Sequence, residues 1–202
     1  SLLPGACAPP SCAAAGARRR EVMMMSGRSR AKPAMKVVLR RATLADLPIV
    51  RVWDVDAEVI ASGAGRSAEV WAAELPREVD WYEPLIAELD GVPVGYLELI
   101  DAAREESHYW GDDVESDAWG LDIWVGRSTD RCRGIGTAMM HAALRRCFTV
   151  HRATAVLLDP LSTNSRACRF YERLGFQLLG VRRLGDDDCC VYRLGRDEYL
   201  PA

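Results

Sequence analysis

The segment Arg131-Cys132-Arg133-Gly134-Ile135-Gly136-Thr137 carries the most chemical information in the chain. Two glycines one residue apart let the backbone approach a ligand closely. A helix opening at Gly134 would offer the unpaired N–H groups of Gly134, Ile135, Gly136 and Thr137 and a positive dipole end, which together suit a pyrophosphate. Arg131 and Arg133 add positive charge to that loop. The dinucleotide pattern G-x-G-x-x-G is excluded because Met139 stands at its third glycine, and no Gly-Lys-Ser/Thr follows to complete a phosphate loop.

Two carboxylates lie near this loop in sequence. Asp122, in Gly120-Leu121-Asp122, immediately precedes it, and Asp159-Pro160 follows the next apolar segment. Between residues 101 and 122 stand Asp101, Glu105, Glu106, Asp112, Asp113, Glu115, Asp117 and Asp122, interleaved with Tyr109, Trp110 and Trp119. Such a stretch suits a cationic ligand with rings to stack on, or is simply a solvated acidic turn. The seven cysteines form no C-x-x-C pair and no His/Cys set with zinc spacing, so no metal is expected and the thiols read as free in a reducing cytoplasm. His108, His141 and His151 read as surface or helix residues, and His108 alone falls near the acidic loop.

The elements that must position these groups follow from periodicity and punctuation. Residues 37–41 read as a strand. Thr43 is a helix N-cap with Asp46 at its third position, and helical spacing of apolar residues continues to Ala61, ended by the glycines of 62–65. A short helix is expected over 67–75, closed by Pro76. Residues 82–89 and 92–100 form a hairpin across Asp90-Gly91, a strong turn signal. Residue 118 opens a strand running to 125, and a loop over 126–133 leads into a helix over 134–148. A buried strand over 153–158 and a helix over 164–174, ended by Gly175, come next. A closing hairpin over 176–184 and 189–194 is expected to turn at Asp186-Asp187-Asp188. This order predicts an α/β fold with a mixed central β-sheet and helices on both faces.

With 202 residues, 49% hydrophobic and 27% charged, the chain suits one domain with an ordinary core. No apolar run approaches the roughly 18 residues of a membrane helix. The net charge of -3 is uneven: residues 1–34 carry six basic side chains against Glu21, a balance of +5, which leaves -8 for the rest. Residues 1–34, rich in Ala, Pro, Arg and Ser, are expected to be disordered or a non-native leader, with the folded domain over 35–202. An acidic body argues against nucleic acid and for a small polycationic amine.

The chain resembles the Gcn5-related N-acetyltransferase (GNAT) family. The signature Q/R-x-x-G-x-G/A is matched by Arg131, Gly134 and Gly136, and a second signature by Asn164, Ala167, Phe170-Tyr171-Glu172-Arg173 and Leu174-Gly175-Phe176. The resemblance covers residues 36–200 and implies acetyl-CoA as cosubstrate. It implies that Ile123, Trp124 and Val125 pair with the pantetheine arm, that Asn164 lies near the coenzyme, and that the Tyr171 hydroxyl protonates the departing thiolate. The segments Trp119-Gly120-Leu121-Asp122, Asp159-Pro160 and Ala167-Cys168-Arg169-Phe170-Tyr171-Glu172 look most like the aminoglycoside 6'-N-acetyltransferases. That likeness implies that Asp122 contacts the amine as its base, that Asp159 helps hold the antibiotic, and that the protein is a monomer or homodimer. Tyr109, Trp110 and Asp112 are the expected acceptor contacts in the acidic loop. Attack by the amine itself needs no covalent enzyme intermediate, which leaves Cys132 and Cys168 without a catalytic role.

Three other readings compete. A siderophore-biosynthesis acyltransferase acting on an N-hydroxylysine-type amine would carry a histidine near the central strand, and none occurs in 119–124. Acetylation of a protein N-terminus or lysine is compatible with the hydrophilic loop. A non-catalytic acetyl-CoA sensor is disfavoured by the presence of Asp122 and Tyr171.

Overall fold

Strand β1 (Val37–Arg41) opens the computed structural model, which describes residues 35–63 and 65–200. The expectation for residues 1–34 falls outside the described residues. A single 3-10 turn follows, in which Asp46 accepts from the Thr43 N–H at 2.9 Å and is gripped by Arg40. Helix α1 (Leu47–Asp54) begins with Pro48 in its first turn, where the missing N–H costs nothing. The single helix expected to reach Ala61 is broken. Asp56 is extended and caps a separate α2 (Ala57–Ala61) by accepting from the Glu58 N–H at 2.9 Å. An aspartate side chain that bonds its own downstream backbone competes with continuous helix, which is the physical reason for the break. Ser67 caps α3 (Ala68–Glu74) in the same way.

Strands β2 (Tyr82–Leu89) and β3 (Val92–Asp101) form the expected hairpin. Asp90 and Gly91 both take positive φ, at 52° and 78°, as a two-residue primed turn requires. After the 102–117 loop come β4 (Ala118–Val125), α4 (Ile135–Thr149), β5 (Ala155–Leu158) and α5 (Ser165–Arg173). The closing pair β6 (Gln177–Leu184) and β7 (Asp187–Gly195) turns earlier than expected. Leu184 pairs with Asp187 across Gly185-Asp186, because Gly185 supplies the positive φ of 56° that the turn needs. Asp187 and Asp188 are therefore strand residues.

The seven strands form one sheet in the order β1-β2-β3-β4-β5-β7-β6. Only β4 and β5 are parallel, and every other pair is antiparallel. Alternation divides the two faces. Leu85, Leu97, Leu121 and Leu158 pack with α4 and α5 residues such as Met139, Leu144 and Tyr171. Ile86, Tyr96 and Trp124 face the other way, against Trp53, Val59 and Trp71 of α1–α3. Trp71 meets Tyr96 edge-on at 4.8 Å between ring centroids. Gly126, at the end of β4, lies flat against the Trp53 ring, and any side chain there would overlap it.

Candidate active site

The parallel ladder between β4 and β5 is short. It runs from Ala118↔Ala155 to Gly120↔Leu157 and stops, while β4 continues to Val125. Leu121 to Val125 therefore keep their pairing to β3 but, among the described residues, have no strand on the β5 side. Backbone donors and acceptors on such an edge seek partners. A cleft of about 920 Å³ opens there, lined by Ile123, Trp124 and Val125.

Helix α4 starts at the mouth of the same cleft. Gly134 caps it at φ 88°, a left-handed conformation, with no side-chain cap and no acidic residue in the first turn. The first N–H groups thus lack side-chain acceptors, and no carboxylate neutralises the dipole. Gly134, Gly136 and Thr137 line the cleft, and a Cβ at Gly136 would touch Val125 at 3.5 Å. These features fit an extended, phosphorylated, amide-bearing arm: open strand edge for the arm, bare helix N-terminus for its pyrophosphate. Asn164 also lines the cleft, and its side chain caps α5 by accepting from the Ala167 N–H at 3.1 Å.

The other expected coenzyme contacts are placed as follows. The Ile135 side chain is buried in the core beneath α4, because the helix turns that position inward, while its N–H belongs to the first turn of the helix. Arg133 leaves the cleft and pairs with Asp130 at 2.9 Å. Arg131 lines the cleft, but its guanidinium is engaged by Asp56 at 2.6 Å and Glu58 at 3.2 Å. It fastens the glycine loop to α2, and its charge is largely answered within the protein.

At the other end of the cleft, Asp122 projects from β4 toward the α1–α3 side. It is open to the cleft yet walled in by protein. Directly across the ladder lies Glu98 of β3, only 1% exposed. The two carboxyls are direct cross-strand neighbours on the same face of the sheet. Arg66 grips both oxygens of Glu98, and Tyr82 donates to it at 2.9 Å. Burial pushes the Glu98 carboxyl up, but the Arg66 charge and hydrogen bonds outweigh this and hold it below its ordinary value. Asp122 moves the other way: burial first, then the Glu98 charge, then Asp159, raise it well above the usual carboxylate range.

Tyr171 of α5 is buried at the cleft wall. Burial, then the charges of Asp122 and Asp159, push its phenol upward, so it stays protonated. Asp159, just past β5, accepts from the Tyr109 hydroxyl at 2.6 Å, and both line the cleft. Burial raises Asp159, and the Tyr109 hydrogen bond opposes the rise. Asp122, Asp159, Tyr109 and Tyr171 are thus gathered at one end. Trp110 and Asp112 are not. Trp110 lies over Gly120 and packs with Ala118 and Leu157, which the missing side chain at Gly120 permits. Asp112 is exposed and meets His108 at 3.1 Å.

Glu98 and Arg66 were not singled out in the sequence. Alternation along β3 offered the only signal: Glu98 interrupts the apolar series Tyr96, Leu97, Leu99, and a lone carboxylate in a central strand needs a partner.

Known proteins share this fold. The profile of the acetyltransferase (GNAT) domain family matches residues 42–184. The aminoglycoside N(6')-acetyltransferase type 1 of Klebsiella pneumoniae is 26% identical over 152 residues, covering 72% of this chain and 76% of that protein. The kanamycin resistance protein of Rhizobium radiobacter is 28% identical over 77 residues, 38% of this chain and 71% of that one. The crystal structure of aminoglycoside acetyltransferase AAC(6')-Ib in complex with coenzyme A superposes with a TM-score of 0.70 at 25% identity, covering 81% of this chain and 96% of that one.

Proposed function

Since the chain belongs to the GNAT acetyltransferase family and is related to aminoglycoside 6'-N-acetyltransferases, we propose that it transfers acetyl from acetyl-CoA to the 6'-amino group of an aminoglycoside. The observation that carries this reading is the meeting, in one cleft, of an open β4 edge with Asp122, Asp159 and Tyr171. When bound, acetyl-CoA supplies the acyl group as a reactive thioester. Ile123, Trp124 and Val125 offer the strand edge to its arm, and Gly134, Gly136 and Thr137 offer N–H groups to its phosphates. Arg131 holds that loop in place, and Asn164 fixes the start of α5 beside it.

The acceptor arrives as an ammonium and must lose a proton before it is a nucleophile. Asp122 orients the amine and accepts that proton, directly or through water. Tyr171, kept protonated by its surroundings, gives its phenolic hydrogen to the departing sulfur. Asp159, held by Tyr109, receives a second ammonium of the same molecule. Support for a cationic acceptor comes from the two carboxyls Asp122 and Asp159 at that end of the cleft; of the arginines that also line it, Arg131 and Arg166 are paired with Glu58, and Arg66 with Glu98.

The test is incubation of the purified protein with acetyl-CoA and, separately, kanamycin, tobramycin, gentamicin, an N-hydroxylysine and a lysine peptide. Thiol release gives the rate, and mass and NMR locate the acetyl group. Efficient acetylation of kanamycin at the 6' amine is the expected result. Turnover of the N-hydroxylysine or the peptide, with none on any aminoglycoside, would reject the substrate assignment.

A further inference from the structure

Below Asp122 lies a buried cluster whose charges do not balance. Glu98 faces Asp122 across the β3–β4 ladder, and direct cross-strand partners bring their side chains within contact. The guanidinium of Arg66 is the cation bonded to Glu98, and it is shared with Glu74 of α3 at 2.7 Å. Tyr82 of β2 and Tyr96 of β3 also donate to Glu98, at 2.9 and 3.3 Å. On the cleft side, Asp159 beyond β5 and Tyr171 of α5 face Asp122, and Tyr109 of the acidic loop faces Asp159. Among the described residues Arg66 thus answers Glu74 and Glu98, while Asp122 beside Glu98 has no cation bonded to it and faces Asp159, Tyr171 and Tyr109 on the cleft side. Two carboxylates side by side, one of them buried, do not both ionise readily.

We propose that Glu98 is a positioning residue: with Asp122 it forms a carboxyl pair that holds one proton in the free protein, seated on Asp122, and that releases it to solvent when a cationic amine docks. The inference rests on the reading of Asp122 as the group that meets the amine. Arg66 and the two tyrosines fix the negative charge on Glu98, so the proton sits on the cleft-facing partner. Docking replaces the proton's positive charge with that of the ammonium: Asp122–COOH and R–NH3+ become Asp122–COO⁻ paired with R–NH3+, and one H+ goes to water. Charge is conserved, and Asp122 becomes a carboxylate only when there is an amine to serve. Burial of Glu98 then has a function beyond packing, since an apolar residue there would leave Asp122 ionised and hydrated in the empty cleft.

The experiment titrates the Asp122 carboxyl by 13C NMR in protein labelled at the aspartate side-chain carbon, with the resonance assigned by its loss in Asp122→Asn. No acceptor is needed, so failure of the aminoglycoside assignment would leave this measurement decisive. Glu98→Gln should lower the Asp122 midpoint by about one pH unit or more, because a neighbouring like charge is removed. Arg66→Gln should move it upward, and this opposite sign keeps the proposal testable if Glu98→Gln does not fold. An Asp122 midpoint unchanged in both variants would overturn the pair. With kanamycin as the probe, calorimetry in buffers of different ionisation enthalpy should show protons released on binding by the wild type and far fewer released by Glu98→Gln. Equal release in the two proteins would overturn the displacement step, and absence of kanamycin binding would reject the substrate reading while the carboxyl titration still judges the pair.

Discussion

The Tyr109 hydroxyl donates to Asp159 at 2.6 Å, tying the acidic loop between β3 and β4 to the end of β5. Fifty residues separate the two, and the bond closes one wall of the cleft at the acceptor end. Tyr109→Phe removes the donor but keeps the ring. Because Tyr109 is 41% exposed, its hydrogen bond is partly screened. The acceptor KM should rise by about 3- to 10-fold, with a smaller change in kcat and none in the acetyl-CoA KM. Steady-state kinetics with kanamycin and acetyl-CoA varied in turn checks this. An unchanged acceptor KM would remove Asp159 from the acceptor site.

Asp122→Asn and Tyr171→Phe each delete one proposed proton-transfer group while preserving shape. Each should lower kcat by about 10²- to 10⁴-fold. Acetyl-CoA affinity, read by calorimetry, should hold, because neither side chain belongs to the strand edge or the helix N-terminus proposed to bind it. Normal turnover of a verified acceptor by either variant would refute its assigned role.

Gly134 takes φ 88° to start α4 at the wall of the cleft. An alanine in the left-handed region costs about 1–2 kcal/mol, so the loop of Gly134→Ala should relax away from this geometry. The expected result is an acetyl-CoA KM raised about tenfold with the melting temperature little changed. Gly136→Ala meets Val125 only at ordinary contact distance and should be milder.

Glu83 of β2 binds Arg146 through both oxygens and accepts from His151 at 2.8 Å, and His151 stacks on Trp119 at 3.9 Å. Burial pushes the Glu83 carboxyl up, but its bonds to His151 and Arg146 prevail and bring it down to about 2. A depressed folded-state value means that the stabilisation is complete above the unfolded value of 4.5 and is lost as pH falls from there toward about 2. Glu83→Gln should therefore lower stability by about 1–3 kcal/mol at pH 7 and flatten its acid dependence. Urea melts at a series of pH values measure both. A variant with the same acid slope as the wild type would show that other carboxylates set it.

The sequence alone determined what depends on near neighbours. Asp90-Gly91 made a primed turn, Asn164 capped α5, and Gly134 opened α4 at the end of the loop, because each conformation is set by a side chain or its absence within a few residues. The order of strands and helices followed from the same local periodicities, and it led to a mixed sheet with helices on both faces. Asp122, Asp159, Tyr109 and Tyr171 could be nominated by type and by resemblance. Tertiary structure decided which charges meet. Arg131, expected to lend charge to the pyrophosphate loop, meets Asp56, 75 residues away in sequence, and Glu58. Trp110 lay down on Gly120 rather than in the cleft. Glu98 came to face Asp122 only through the β3–β4 register, with Arg66 folded beneath from before α3. Register and long-range ion pairing depend on how whole elements pack, so the proton balance of the site is a property of the assembled sheet that no window of residues contains.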